Sequence, residues 1–217
     1  MRRNKTRAIF FIFLFSLFLL FAGCAKKEIA NIDSQGENII CLGDSITFGY
    51  GVAPGEDYPT LLSPMLSRPV INAGVDGDTS VDALKRIDAD VLSKNPVLVI
   101  IEFGGNDFIK KIPLAETVEN VREIASKVQA QGGMVAIADI SAGMFLKDYR
   151  SAFSRLAKEK QAIFIPGVLS GIITNPNLKS DFMHPNSEGY RIVAQRIYRV
   201  IAPYLYKNLL KRKLAKE

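Results

Sequence analysis

Five short apolar runs recur along the chain, and most are followed by a longer stretch with helical periodicity. The runs are Asn38–Leu42, Val70–Val75, Val97–Phe103, Met134–Ile140 and Ala162–Val168. They are continuous rather than alternating, as strands covered on both faces are. Within Thr79–Lys94, Val81, Leu84, Val91 and Leu92 fall on one helical face. Within Leu114–Gln131, Leu114, Val118, Val121, Ile124 and Val128 form a stripe, with Gly132 placed to cap it. Lys147–Lys160 reads as a shorter helix. A last helix begins near Pro185–Glu188 and runs through Ile192, Val193, Ile197 and Val200 until Pro203 interrupts it. This alternation predicts a doubly wound α/β domain, a three-layer α/β/α sandwich around a five-stranded parallel sheet.

The N-terminus reads as an address. Arg2, Arg3, Lys5 and Arg7 precede the apolar run Ala8–Phe21, which holds six of the thirteen Phe of the chain. The run is shorter than the ~20 residues that span a bilayer and matches a signal-peptide core. It ends Leu20-Phe21-Ala22-Gly23-Cys24 and turns abruptly polar. Small residues before a Cys resemble a bacterial lipobox, in which Cys24 is acylated and becomes the mature N-terminus. A signal peptide cleaved nearby and an uncleaved helical anchor are the alternatives. The chain thus divides into a lipoprotein signal peptide (1–23), a polar tether (24–37), a catalytic-sized domain (38–206) and a basic tail (207–217). An exported protein, lipid-anchored in the cell envelope, is the expectation.

Residues 1–23 carry four of the six net positive charges, and Lys207–Glu217 holds five bases against one acid. What lies between is mildly acidic, with no basic stripe of the kind nucleic acid requires. Two Cys and one His in 217 residues exclude a four-ligand zinc site and a disulfide framework. Cys41, in an apolar run, reads as a buried small hydrophobe.

In a doubly wound sheet, sites form beyond the carboxyl ends of the strands. After the first run comes Gly43-Asp44-Ser45-Ile46, where a Gly lets the chain turn sharply and present Ser45; the alternative is that Asp44 or Ser45 only caps the next helix. After the second comes Asp76-Gly77-Asp78-Thr79-Ser80 and after the third Gly104-Gly105-Asn106-Asp107. Each places a backbone N–H or a side-chain amide where it could meet a substrate oxygen, or forms an ordinary turn. After the fifth comes Asp181-Phe182-Met183-His184-Pro185. There a carboxylate three residues before an imidazole can fix its tautomer and leave the other nitrogen for a serine. Four strand ends supplying four parts of one acyl-transfer apparatus weigh against four unrelated turns.

These four blocks, in this order and spacing, resemble the GDSL/SGNH hydrolases. Gly43–Pro59, the stretch Asn72–Ser80 and the region from Gly167 onward look like bacterial lysophospholipase, thioesterase and arylesterase members. Ile46 in place of Leu, Asp76 in place of a small residue, and Phe182-Met183 before the His are departures that bear on pocket shape. The resemblance implies Ser45 as nucleophile, His184 as general base and Asp181 as its orienting partner. It implies an oxyanion hole of the Ser45 and Gly77 N–H groups with the Asn106 amide, and no metal or cofactor. The implied activity is hydrolysis of carboxylic or thio esters, of lysophospholipids or other lipid-like acyl esters. The alternative is a carbohydrate or peptidoglycan O-acetylesterase. Val168, Leu169, Ile172 and Ile173 before the Asp/His block, and Phe108 and Ile109 after Asn106, fit an acyl groove or plain core. The sequence leaves the oligomeric state open; a monomer is compatible with it.

Overall fold

The computed structural model describes residues 28–141 and 146–215. The signal segment 1–23 and Cys24 lie outside the described residues. Strands β1 (Asn38–Gly43), β2 (Val70–Gly74), β3 (Pro96–Glu102), β4 (Met134–Ala138) and β5 (Ile163–Ile165) form one sheet in the order β2-β1-β3-β4-β5. All four pairings are parallel. The seven residues of β3 are all buried, which is why that run shows no alternation.

In chain order the helices are α1 (Ser45–Phe48), α2 (Tyr58–Leu66), α3 (Ser80–Asp90), α4 (Gly105–Ile109), α5 (Leu114–Ala130), α6 (Lys147–Glu159) and α7 (Ser187–Leu214). Helix α2 packs against α7, while α3, α5 and α6 pack in sequence with one another. The sheet lies between these two helical layers, as the sequence pattern predicts. The chain moves outward from β1 to β2 and then returns across β1 to β3, which puts the switch point between the ends of β1 and β3.

Local signals account for the helix starts. Thr79 and Asp82 form a reciprocal capping box on α3, and Asn186 accepts from the Gly189 N–H at the start of α7. Helix α5 buries Val121, Ile124 and Val128 and ends at Gln131, with Gly132 in the left-handed region just beyond. Helix α2 escapes the apolar periodicity; its signal is Asp57, which accepts from the Thr60 N–H, with Pro59 in the first turn.

Two terminal segments differ from expectation. Helix α7 does not stop at Pro203 but continues to Leu214. Leu205 and Asn208 of the continuation are buried, and the Asn208 amide donates to the carbonyls of Ile32 and Ser34, both at 3.0 Å. These contacts outweigh the backbone hydrogen bond lost at the proline. The same contacts draw the end of the polar stretch onto the fold, so that Ile32 and Ser34 are buried and Asn31 donates to the carbonyls of Gln129 and Gly133.

Candidate active site

The loop after β1 turns tightly because residue 43 is glycine. A Cβ there would lie 2.0 Å from Thr47 Oγ1 and 2.7 Å from Glu102 Oε2. Asp44, not Ser45, caps α1: its carboxylate accepts from the Ile46 N–H at 3.0 Å. The serine hydroxyl is thereby free to face the loop that carries His184.

That loop is a closed turn. Lys179 and Pro185 form an antiparallel bridge, and the Ser180 N–H donates to the His184 carbonyl at 3.0 Å. Inside it, Asp181 Oδ1 accepts from the N–H groups of Met183 (2.8 Å) and His184 (2.9 Å). Asp181 Oδ2 lies 2.7 Å from His184 Nδ1, and His184 Nε2 lies 3.0 Å from Ser45 Oγ. With the carboxylate accepting from Nδ1–H, Nε2 is left to accept from the serine hydroxyl. Burial works against ionisation of Asp181, but the Met183 N–H, the imidazole and the His184 N–H outweigh it and hold the carboxyl below its ordinary range. The Tyr50 ring packs 4.5 Å from the imidazole, and Tyr190 OH fixes the Tyr50 carbonyl at 3.1 Å.

Gly77 and Asn106 come from the ends of β2 and β3. Gly77 sits at φ +79°, a conformation that a side chain would strain. Asn106, in the first turn of α4, donates from Nδ2 to the Asp78 carbonyl at 3.0 Å, so the two blocks are linked. Ser45, Asn106 and His184 border one cleft of about 320 Å³, whose walls include Ile46, Ile109, Ile140, Leu169, Ile173 and Phe182. Of the residues read as acyl groove or core, Leu169, Ile173 and Ile109 border this cleft, whereas Val168 and Ile172 are core.

Residues 41–192 match the GDSL-like Lipase/Acylhydrolase family. The chain belongs to that family. It is 28% identical over 199 residues to esterase TesA of Pseudomonas aeruginosa, covering 86% of this chain and 98% of that one. It is 27% identical over 199 residues to thioesterase 1/protease 1/lysophospholipase L1 of Escherichia coli strain K12, covering 88% and 91%. Among solved structures, the psychrotrophic esterase EstA from Pseudoalteromonas sp. is 26% identical with a TM-score of 0.72, covering 78% of this chain and 99% of that one. The protein is thus a GDSL-type serine esterase on a three-layer α/β/α fold.

Three further residues of this GDSL esterase hold the strand ends in place. Arg86 of α3 donates to the carbonyls of Gly43 (3.1 Å) and Ala73 (2.8 Å) and to the Asp78 carboxylate (2.7 Å). Nothing in the helical pattern singles it out. Asp107, fully buried, accepts from the Ser80 N–H at 3.1 Å and from the hydroxyls of Ser80 and Thr117, which ties Asn106 to α3 and α5.

Glu102 ends the otherwise apolar β3, and a lone acid in a buried run is a signal in itself. Its Oε2 accepts from Thr47 Oγ1 at 2.8 Å, while its Oε1 is buried with no hydrogen-bond partner among the described residues. Burial drives both carboxyls upward, Asp44 to about 6 and Glu102 well above its ordinary range, and the nearby charge of Asp44 raises Glu102 further.

Proposed function

We propose that the protein hydrolyses carboxylic or thio esters of hydrophobic acyl groups, lysophospholipids among them, by a Ser-His-Asp mechanism. The reading rests on the hydrogen-bonded line from Asp181 through His184 to Ser45 Oγ, which opens onto an apolar cleft. Ser45 Oγ attacks the carbonyl carbon while its proton passes to His184 Nε2. The carbonyl oxygen becomes an oxyanion, held by the N–H groups of Ser45 and Gly77 and by the Asn106 amide. As the tetrahedral intermediate collapses, Nε2 returns the proton to the leaving alcohol or thiol, and the acyl group stays on Ser45. Water then attacks the acyl-enzyme, giving its proton to Nε2, and Ser45 regains that proton as the acid departs. Asp181 stabilises the imidazolium in both halves.

The apolar cleft favours chains longer than acetyl over the O-acetylesterase alternative. Nitrophenyl esters from acetyl to palmitoyl, assayed with Ser45→Ala alongside, test this. A Ser45-dependent rate that peaks at medium or long chains supports the reading. A rate confined to acetyl moves the substrate to acetylated glycans.

We propose further that Cys24 carries the lipid that holds the enzyme in the cell envelope. The support is the basic start, the apolar run and the small residues before that Cys. Cys24→Ser should release the enzyme from membranes with its specific activity intact.

A further inference from the structure

Helix α7 starts at Ser187, three residues after His184, and its 28 residues extend about 42 Å at 1.5 Å each. Its last turns therefore lie at the end of the sheet where the strands begin. Arg212 donates to the carbonyl of Gly36, two residues before β1, at 2.9 Å. One side of these turns is buried through Leu205 and Asn208. The opposite side presents Tyr206, Leu210 and Leu214 at four-residue spacing, 64%, 42% and 71% exposed. The exposed bases Arg199, Lys207 and Lys213 flank them.

Bases alone at a helix C-terminus need no partner, because they complement the helix dipole. A row of exposed apolar side chains among them is not explained that way. Beside the row, a second cleft of about 660 Å³ opens between α7 and the end of α2, with Leu205 and Leu209 in it and Arg68, Arg212 and Lys213 around it. The chain also enters the fold here. Glu28, the first described residue, pairs with Lys207 at 2.6 Å and Lys211 at 3.1 Å. Cys24, the proposed lipid carrier, stands only four residues before Glu28 in the chain.

We propose that this end of the molecule docks on an anionic lipid bilayer. Apolar side chains among bases suit the boundary between head groups and acyl chains, and the N-terminal segment keeps the face close to the membrane. The active-site cleft is then held at the far end of the sheet, facing away from that bilayer. A consequence, which rests on the esterase reading above, is that substrate arrives from the aqueous side. Lysophospholipids and other acyl esters that leave a membrane qualify; phospholipids of the leaflet beneath the enzyme do not. The docking itself does not depend on that reading.

The test uses the full-length chain reconstituted into vesicles of phosphatidylcholine with phosphatidylglycerol, and of phosphatidylcholine alone. An environment-sensitive fluorescent amino acid is placed at position 210, or at position 182 on the rim of the active-site cleft. The expected result is a blue shift and quenching by lipid-borne quenchers at 210 in the anionic vesicles, with 182 remaining aqueous. Arg199→Glu combined with Lys213→Glu should abolish the quenching at 210 and leave hydrolysis of soluble nitrophenyl esters unchanged. Quenching at 182 instead of 210, or at neither, overturns the proposal. So does a blue shift at 210 without vesicles, which assigns the face to a second copy of the chain. Ester hydrolysis is read separately, so failure of docking and failure of the esterase reading remain distinct.

Discussion

The side-chain amide of Asn106 donates one N–H to the Asp78 carbonyl at 3.0 Å, which anchors it beside Gly77 and leaves its second N–H for the cleft. In the proposed mechanism this anchored amide meets the developing oxyanion without reorganisation. Asn106→Ala should lower kcat by about 10²–10³ with little change in KM, the loss typical of one oxyanion donor. Steady-state kinetics on a nitrophenyl ester decide the matter. A variant that loses only substrate affinity removes Asn106 from the oxyanion role.

Arg86 bridges the ends of β1 and β2, so it acts on the reaction only through the positions of Gly43 and Asp78. Hydrogen bonds to charged groups contribute about 1.5–3 kcal/mol each, and Arg86→Ala should cost about 2–3 kcal/mol of stability. Its kcat should fall roughly tenfold, equivalent to about 1.4 kcal/mol of transition-state energy. Arg86→Lys should recover little of this, because one ammonium lacks the fork that reaches four acceptors, Gly43, Ala73, Asp78 and Asp90. Urea titration together with kcat separates the two losses. A fall in stability with kcat untouched leaves Arg86 a purely structural residue.

The Asp44–Glu102 pair makes stability depend on pH in an identifiable direction. A carboxyl raised by folding binds its proton more tightly in the folded chain, so it favours the fold in acid. That contribution fades as pH rises from the ordinary carboxyl range, about 4, through the folded value of about 6 for Asp44. Glu102→Gln keeps the shape and removes one of the two raised carboxyls, so its melting temperature should vary less across this window. Its activity should stay near that of the wild type. Glu102→Ala removes the carboxyl that accepts from the Thr47 hydroxyl and should cost about 1–3 kcal/mol. Thermal melts at several pH values check both; equal slopes for the wild type and Glu102→Gln refute the raised Glu102 carboxyl.

Asp181 behaves in the opposite way. Its carboxyl lies below the ordinary range, so its stabilising contribution is complete above that range and is lost only as pH falls through the lower folded value. Asp181→Asn should therefore melt with the same pH dependence as the wild type near neutrality, the two converging only in strong acid. Its kcat should fall by about 10⁴, because the imidazole loses its orienting carboxylate. A drop of only a few-fold points to another partner for His184 Nδ1.

The sheet was readable because its strands are buried on both faces, and continuous apolar runs such as Val97–Phe103 record that burial directly. The strand-end blocks were readable because Gly, Asp, Asn and Ser cluster at the turns that follow the strands. Helix α2 was not, since its start depends on the Asp57 cap rather than on an apolar stripe. The course of α7 past Pro203 depends on Asn208 reaching carbonyls at Ile32 and Ser34, a contact between residues about 175 positions apart in the chain. Arg86 is invisible because two of its partners are the backbone carbonyls of Gly43 and Ala73, which carry no sequence signature. Leu169 and Ile172 are both apolar and lie three apart; only the fold sorts one to the cleft and the other to the core.

The most direct test of the account is where a fluorophosphonate reacts. This probe phosphonylates an activated serine and releases fluoride, and the modified residue is found by peptide mass spectrometry. The account predicts a single adduct on Ser45, absent in Ser45→Ala and formed far more slowly in His184→Ala, with ester hydrolysis lost in parallel. An adduct on another residue, or hydrolysis that persists in Ser45→Ala, contradicts it.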